Sequence, residues 1–338
     1  MGSNQIPNNL LSLKILSKFN IVTEALQRPL FAYSYQVIDN TKDSSLNNRD
    51  GMVQAGEDVD LLVFIKNVGE GPSEKNVVTL RNLSNKEVLI KNGRVEIGTL
   101  NPGDMKEVKL SFYVKEKISL DNFSVDLIIS DTIFGTFLSD KLIFPVLASK
   151  PKMAQTTSIL KIGRNHTPLY GGMSFDSPVI SMMREGMILI SDAKNNDWFR
   201  ITLDNRRGWV SAKDVAELSN TGNKPSTIEP FIQRIPPTIT FNKSLSTVIF
   251  GNDRLPFSAI IEDDISVKHA YILVNNDKVF FKSNKFATPK ELTRLEITTN
   301  IPLKEGPNVV TIVARDGQNM ITTKSFVATK GLTVAKGL

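Results

Sequence analysis

Apolar and polar positions change places along this chain in short runs. Val59, Leu61, Val63 and Ile65 fall on every second position, as do Val108, Leu110, Phe112 and Val114, and then Phe123, Val125, Leu127 and Ile129. A period of two sets one face of a strand inward and the other in water, so each run predicts a half-buried β-strand. Between the runs sit the Gly-, Pro- and Asn-bearing segments 67–73, 91–94 and 100–104, which supply the fixed or positive φ that hairpin turns need. The pattern returns at 236–241, and Asn275, Asn276 and Asp277 separate the short apolar runs 271–274 and 278–281 as a further hairpin. Residues 158–218 read as about five short strands with tight turns, which suits a small barrel. One stretch differs: Leu10, Leu13, Ile15, Leu16, Phe19, Val22 and Leu26 recur at three- and four-residue spacings. This predicts an amphipathic helix over 9–26, stopped by Pro29 and packed through one face.

Two polar connectors, 148–152 and 219–226, divide the pattern. The expected layout is a helical segment over 1–30, a sandwich over 31–150, a barrel over 151–222 and a second sandwich over 223–338. The chain is thus mainly β. Several short strands at regular spacing suggest immunoglobulin-like folding for each sandwich.

Three resemblances follow from particular residues. Asn67-Val-Gly-Glu-Gly-Pro-Ser73 followed by Leu100-Asn-Pro-Gly103 resembles the CARDB-like immunoglobulin domains of bacteria. The close of the chain, Leu303-Lys-Glu-Gly-Pro-Asn-Val-Val-Thr-Ile-Val-Ala-Arg-Asp316, is similar to the last two strands of bacterial immunoglobulin-like modules. The middle region resembles the bacterial SH3 domain through Pro178-Val-Ile180, the turn at Gly186, Trp198-Phe-Arg-Ile201 and Gly208-Trp-Val210. Its first loop, carrying His166, Tyr170 and Phe175, departs from that family. The SH3 resemblance implies a groove for cell-wall peptide or protein docking.

With 338 residues and no cysteine, the chain has room for several cores and has no disulfide, thiolate zinc site or Cys nucleophile. The net charge of +6 comes from Lys and Arg scattered among acids, the pattern of a solvated surface, and no nucleic-acid partner is expected. No apolar run approaches the length of a membrane helix, so no direct membrane insertion is expected. Met1-Gly2-Ser3 reads as an appended start, and the chain is expected to be part of a longer natural protein.

Catalytic patterns are sparse. The two histidines, His166 and His269, have no Gly-x-Ser-x-Gly elbow to serve. Ser149/Lys152, Ser158/Lys161 and Ser191/Lys194 share the Ser-x-x-Lys spacing, but that spacing pairs the two groups only at the start of a buried helix. Glu262, Asp263, Asp264 and Asp316 are hard-oxygen candidates for calcium without the Asp-x-Asp-x-Asp-Gly loop that would gather them. No cofactor and no metal is expected. Trp198 and Trp209, with Tyr170, Phe175 and Arg200, are the candidate binding residues, because large amphipathic rings on a small barrel either fill its core or line a groove. Terminal-sandwich aromatics Phe250, Phe280, Phe281 and Phe286 allow a reading as a glycan site, but core packing on alternating strands explains them better.

Two settings remain. One is a noncatalytic binding and scaffold region of an exported bacterial envelope protein, periplasmic or extracellular, with an envelope protein or a peptidoglycan peptide as partner. The other is the accessory region of a bacterial C-terminal processing peptidase, to which Arg28-Pro-Leu-Phe-Ala-Tyr-Ser-Tyr35 is similar.

Overall fold

The computed structural model describes residues 27–39, 49–83, 86–147, 153–195, 197–203, 206–219, 224–242, 247–250 and 252–331. The helix expected over 9–26 lies outside the described residues, as do the connector 148–152 and the masked part, 220–223, of the second connector. The fold is mainly β, built of immunoglobulin-like sandwiches and one strongly curled sheet.

The first nine strands are β1 (Phe31–Asp39), β2 (Val53–Gln54), β3 (Asp58–Asn67), β4 (Ser73–Asn82), β5 (Val88–Asn92), β6 (Arg94–Leu100), β7 (Met105–Val114), β8 (Asn122–Asp131) and β9 (Phe137–Leu147). They form two sheets, β1-β3-β7-β5 and β2-β9-β8-β4-β6, with β2 running parallel to β9. Every alternate position named from the sequence faces the core between them: Val59, Leu61, Val63, Ile65, Leu110, Phe112, Phe123, Val125 and Leu127 are buried together. The Asn67 motif also has a structural role. Its buried amide donates to the carbonyls of Gly71 and Leu100 at 2.9 and 3.0 Å, and its Oδ1 accepts from Gly69 N at 3.0 Å. A buried amide so satisfied pins the two turns of the motif to each other. Gly103, at φ +87°, occupies the left-handed region that L side chains rarely adopt.

Next come β10 (Ala154–Ile162), β11 (Thr167–Tyr170), β12 (Val179–Met183), β13 (Ile188–Lys194), β14 (Trp198–Leu203), β15 (Arg206–Ser211) and β16 (Val215–Leu218), in one sheet of order β12-β11-β15-β14-β13-β10-β16. A flat sheet of that width would hold its edge strands about 29 Å apart. Here Ile180 and Met183 of one edge strand and Val215 of the other share a single core with Leu160, Phe199 and Val210. The sheet therefore curls around its own interior. Two strands lie beyond the five expected for 158–218: β11, inside the first loop, and β16, after Gly208-Trp-Val210.

The last eight strands are β17 (Thr238–Phe241), β18 (Thr247–Phe250), β19 (Arg254–Glu262), β20 (Val267–Val274), β21 (Asp277–Ser283), β22 (Arg294–Pro302), β23 (Gly306–Asp316) and β24 (Ile321–Gly331). They pair as β17-β19-β22 and β18-β24-β23-β20-β21, with β18 parallel to β24. Asn275 and Asn276 both carry positive φ, 49° and 74°, which gives the two-residue primed turn that matches strand twist.

One expectation needs correction. The alternation on β3 predicts that its outward side meets water, yet residues 59–65 are all buried, including outward Leu62 and Phe64. Ala32, Ser34 and Gln36, their neighbours on β1, are buried as well. The curled sheet covers this face. The Arg206 guanidinium stands 4.8 Å from the Phe64 ring centre, and the Gln36 amide donates to the carbonyls of Gly171 and Arg207. Each large side chain removed from water in this way stabilises the contact by roughly 1.5–3 kcal/mol.

The end of the second connector and the segment after it continue the joining. Ser226 N bonds to Ile188 O, Phe231 N to Ile180 O, and Arg234 exchanges both backbone bonds with Tyr33 at 2.9 Å. That last pair caps the free edge of β1, an edge otherwise open to other strands. Met320, in the turn between β23 and β24, is buried in the core of the first sandwich.

Candidate functional site

The candidate residues all sit on the curled sheet. Register places Tyr170 opposite Trp209, and Trp209 opposite Arg200. Paired residues of antiparallel strands share a face, and Trp198 lies two positions from Arg200 on the same side. Phe199, Ile201 and Val210 point the other way, into the sheet's own core. The sequence therefore sets its rings on the outer face by simple alternation.

Three rings meet there. Tyr170 and Trp198 are 5.5 Å apart at 89°, Tyr170 and Phe175 5.7 Å apart at 86°, and Phe175 and Trp198 4.7 Å apart at 48°. Edge-to-face and tilted contacts of this kind are the arrangements that ring quadrupoles favour. Phe175 remains 65 % exposed, Trp198 is buried and Tyr170 half-buried, so the cluster presents one open ring on a packed base. Burial first, and then the Asp214 carboxylate, raises the Tyr170 hydroxyl above its ordinary pKa, so Tyr170 stays a neutral donor at physiological pH.

Phe175 is carried by the turn 171–178, and the first sandwich fixes that turn. Met173 N donates to Asp50 O at 3.1 Å, and Ser177 Oγ lies 3.4 Å from the Met52 sulfur. Gly51, at φ +70°, and Gly172 let the backbones touch: a Cβ on Gly172 would stand 2.5 Å from Gly51 O. Beside this contact Asp39 is buried, and its carboxyl is pushed well above the usual range by burial and then by Asp50 and Glu57.

Trp209 and Arg200 are used differently. Trp209 is fully buried, and its indole N–H has no hydrogen-bond partner, so the fold takes up the ring whole. The Arg200 Nε lies 2.7 Å from Asp192 Oδ1, while Arg207 Nε lies 2.9 Å from Asp192 Oδ2. That carboxylate engages both guanidiniums and offsets one of their two positive charges. Asp192 escaped sequence reasoning because only the register on β13 brings it to both arginines.

The Ser-x-x-Lys pairs are engaged elsewhere. Ser158 Oγ donates to Glu217 at 2.9 Å, Ser191 Oγ to the Ala193 carbonyl at 2.9 Å, and Lys194 Nζ to Glu217 at 3.1 Å. The pair Ser149/Lys152 lies outside the described residues. His166 is exposed on a turn with φ +58°. Asp263 Oδ1 caps the amides of Ile265 and Ser266, and Asp316 Oδ1 that of Met320, which are turn contacts. Among the described residues no group of three or more His, Asp or Glu side chains is able to hold a metal ion, and no helix is long and apolar enough to cross a membrane.

No family model and no curated protein matches the chain. Solved structures with some likeness include the fibronectin(III)-like modules of Clostridium thermocellum CbhA, at 12 % identity and TM-score 0.23, covering 89 % of this chain and 98 % of that one. The C-terminal domain of the Streptococcus agalactiae AgI/II polypeptide BspA is 11 % identical at TM-score 0.21, covering 88 % and 99 %. A FixG-related protein from Vibrio parahaemolyticus is 11 % identical at TM-score 0.23, covering 34 % of this chain and 96 % of its own. Likenesses of this size carry no argument about what the chain does.

Proposed function

We propose that this chain is a noncatalytic binding and scaffold region of an exported bacterial envelope protein, in which a bacterial SH3-like barrel holds an extended peptide segment. The observation that carries the reading is the Tyr170–Phe175–Trp198 cluster, whose one open ring is fixed in place by backbone contacts from the first sandwich. Rigid aromatic groups grip a partner at low entropic cost, and extended peptides lie well against aromatic grooves. A stem peptide of the cell wall and a segment of an envelope protein share this chemistry. The setting beside a C-terminal processing protease rests on residues 28–35 of the sequence, and no contact among the described residues favours it.

The test is retention of the chain on purified peptidoglycan and on immobilised envelope proteins, with Phe175→Ala as the variant. Because Phe175 is mostly exposed, its truncation leaves the fold intact. Loss of retention on either matrix supports the reading and identifies the partner. Unchanged retention of Phe175→Ala on both matrices, with the melting temperature also unchanged, contradicts it.

A further inference from the structure

The curled sheet has one incomplete side, and a piece of the chain itself fills it. β12 is the edge strand of the sheet, and β14 pairs with β13 only from Ser191 onward, so Ile188, Leu189 and Ile190 have no β14 residue paired with them. Residues 226–231 cross both places. Ser226 N donates to Ile188 O at 2.8 Å, Ser226 Oγ accepts from Ile188 N at 3.0 Å, and Phe231 N donates to Ile180 O at 3.0 Å. Between these bonds Ile228 packs against the core that holds Leu160, Ile180, Leu189 and Val210. The crossing keeps the alternation of a strand: Ser226, Ile228 and Pro230 are half-buried, while Pro225, Thr227 and Glu229 are exposed. No residue from Lys224 to Ile235 is fully buried.

This is how a bound peptide engages a sheet. An extended peptide adds main-chain bonds at an open edge and sinks an anchoring side chain, which gives affinity and register together. Pro225 and Pro230 fix their own φ and push Lys224 and Glu229 towards extended conformations, so the segment is held in its bound shape before it is seated. Three hydrogen bonds and one half-buried isoleucine hold it, whereas β14 and β15 are paired from end to end. We infer that residues 225–231 are a resident peptide ligand of the curled sheet, seated along Ile180 and Ile188 and displaceable by a partner segment that carries an aliphatic residue between two prolines. The seat lies on the core side of the sheet and the Tyr170–Phe175–Trp198 cluster on its outer face, so the two sites are separate. Release of the segment removes no fully buried side chain from the sheet, whose own core stays closed. The tether makes the segment a strong competitor, because a joined peptide acts at an effective concentration of the order of mM. A partner segment therefore takes the seat when it is abundant or when the resident segment is weakened.

The experiment measures, by fluorescence anisotropy, binding of a fluorescein-labelled peptide with the sequence of residues 224–235 to the full chain. Ile228→Asp in the chain removes the anchor of the resident segment, and is expected to tighten binding of the free peptide at least about tenfold over the wild type, because the tethered competitor is gone. Ser226→Ala removes only the acceptor for Ile188 N, places no charge against the core, and is expected to tighten binding about threefold. A peptide with aspartate in place of its isoleucine anchor is expected to bind none of the three chains, and Phe175→Ala to leave peptide binding as in the wild type. In Ile228→Asp the Ile188 amide is expected to exchange faster than in the wild type and to slow again when the parent peptide is added. Circular dichroism and melting temperature establish that each variant is folded. Equal affinity of the wild type and both variants, no peptide binding to any of them, binding of the aspartate peptide as tight as that of the parent, or an Ile188 amide that the peptide does not slow would each overturn the inference. Loss of peptide binding in Phe175→Ala would move the peptide to the outer cluster and overturn it as well.

Discussion

In the first sandwich β3 is buried on both sides, from Val59 through Ile65, whereas on β19, its counterpart in the last sandwich, Leu255, Phe257, Ala259 and Ile261 are buried and Arg254, Pro256 and Glu262 exposed. Strand order does not explain the difference. Counterpart strands pair alike in both, β1-β3-β7 against β17-β19-β22, and β2-β9-β8-β4-β6 against β18-β24-β23-β20-β21. Inward alternation builds the same sandwich twice. What the outward residues meet then decides the use of each copy. On β3 those residues include Leu62 and Phe64, and the curled sheet covers them; on β19 they are Arg254, Pro256, Ser258, Ile260 and Glu262, and none of them is buried. The second sheets differ in the same manner. Asp126 on β8 pairs with Arg81 at 2.6 Å and accepts from Ser139, which balances that face, while the corresponding face of the last sandwich sets Lys278 over the Tyr271 and Phe281 rings.

The largest expected effect contrasts two phenylalanines that both point away from their own core. Phe64→Ala is expected to cost about 3 kcal/mol in denaturant unfolding, because Phe64 is buried under Arg206. Phe281→Ala, on an open face, is expected to stay within about 0.5 kcal/mol. Equal costs would erase the distinction between covered and open faces. Next, Met320→Ala is expected to cost about 2 kcal/mol or more and to destabilise the first sandwich, whose core Met320 enters from the last. Fluorescence of a probe in the first sandwich and one in the last should then lose their transitions together; a shift confined to the last sandwich would break the joint.

A smaller effect depends on pH. Burial first, and then Asp263, raises the Asp316 carboxyl to about 7, against the backbone hydrogen bonds from Met320 and Gln318 and the charge of Arg234. The folded state therefore binds the proton more tightly than the unfolded chain, whose carboxyl titrates near its ordinary value of 3.8. Its contribution to stability is fully present below that value and is lost as pH climbs towards about 7. Asp316→Asn keeps the acceptor for Met320 N and removes the charge. The variant is expected to gain on the wild type between pH 4 and pH 7 and to hold that gain above, with melting temperature the readout; parallel curves from acid to neutral pH would contradict it. The smallest effect belongs to Phe175→Ala, with unfolding unchanged to within about 0.5 kcal/mol and only partner binding altered.

Much of this fold is legible in local pattern. Alternation identifies the inward residues, and Asn275 with Asn276 identifies a primed turn, because these signals depend on near neighbours. The covered face of β3 is legible in part: Leu61-Leu62-Val63-Phe64-Ile65 is an unbroken apolar run, the mark of a strand buried on both sides. Strand β11 is not, since it is short, contains Pro168 and lies in a polar loop. At the candidate site three of the five residues named from the sequence meet as one cluster. Burial of Trp209 and the capture of Arg200 by Asp192 depend on register between strands, as does the approach of Lys278 to Tyr271 and Phe281. Contacts such as Tyr33 with Arg234 join residues so far apart that no local period carries them.

The account rests on the first sandwich and the curled sheet being covered and joined by the end of the second connector and the segment after it, while the last sandwich keeps its face open. Native-state hydrogen exchange on the full chain tests this most directly. Amides of Ser226, Phe231, Arg234 and Tyr33 donate to Ile188, Ile180, Tyr33 and Arg234. They are predicted to exchange at least about a hundredfold more slowly than an unstructured peptide. Exchange of the Ser226, Phe231 and Arg234 amides at free-peptide rates would contradict the account.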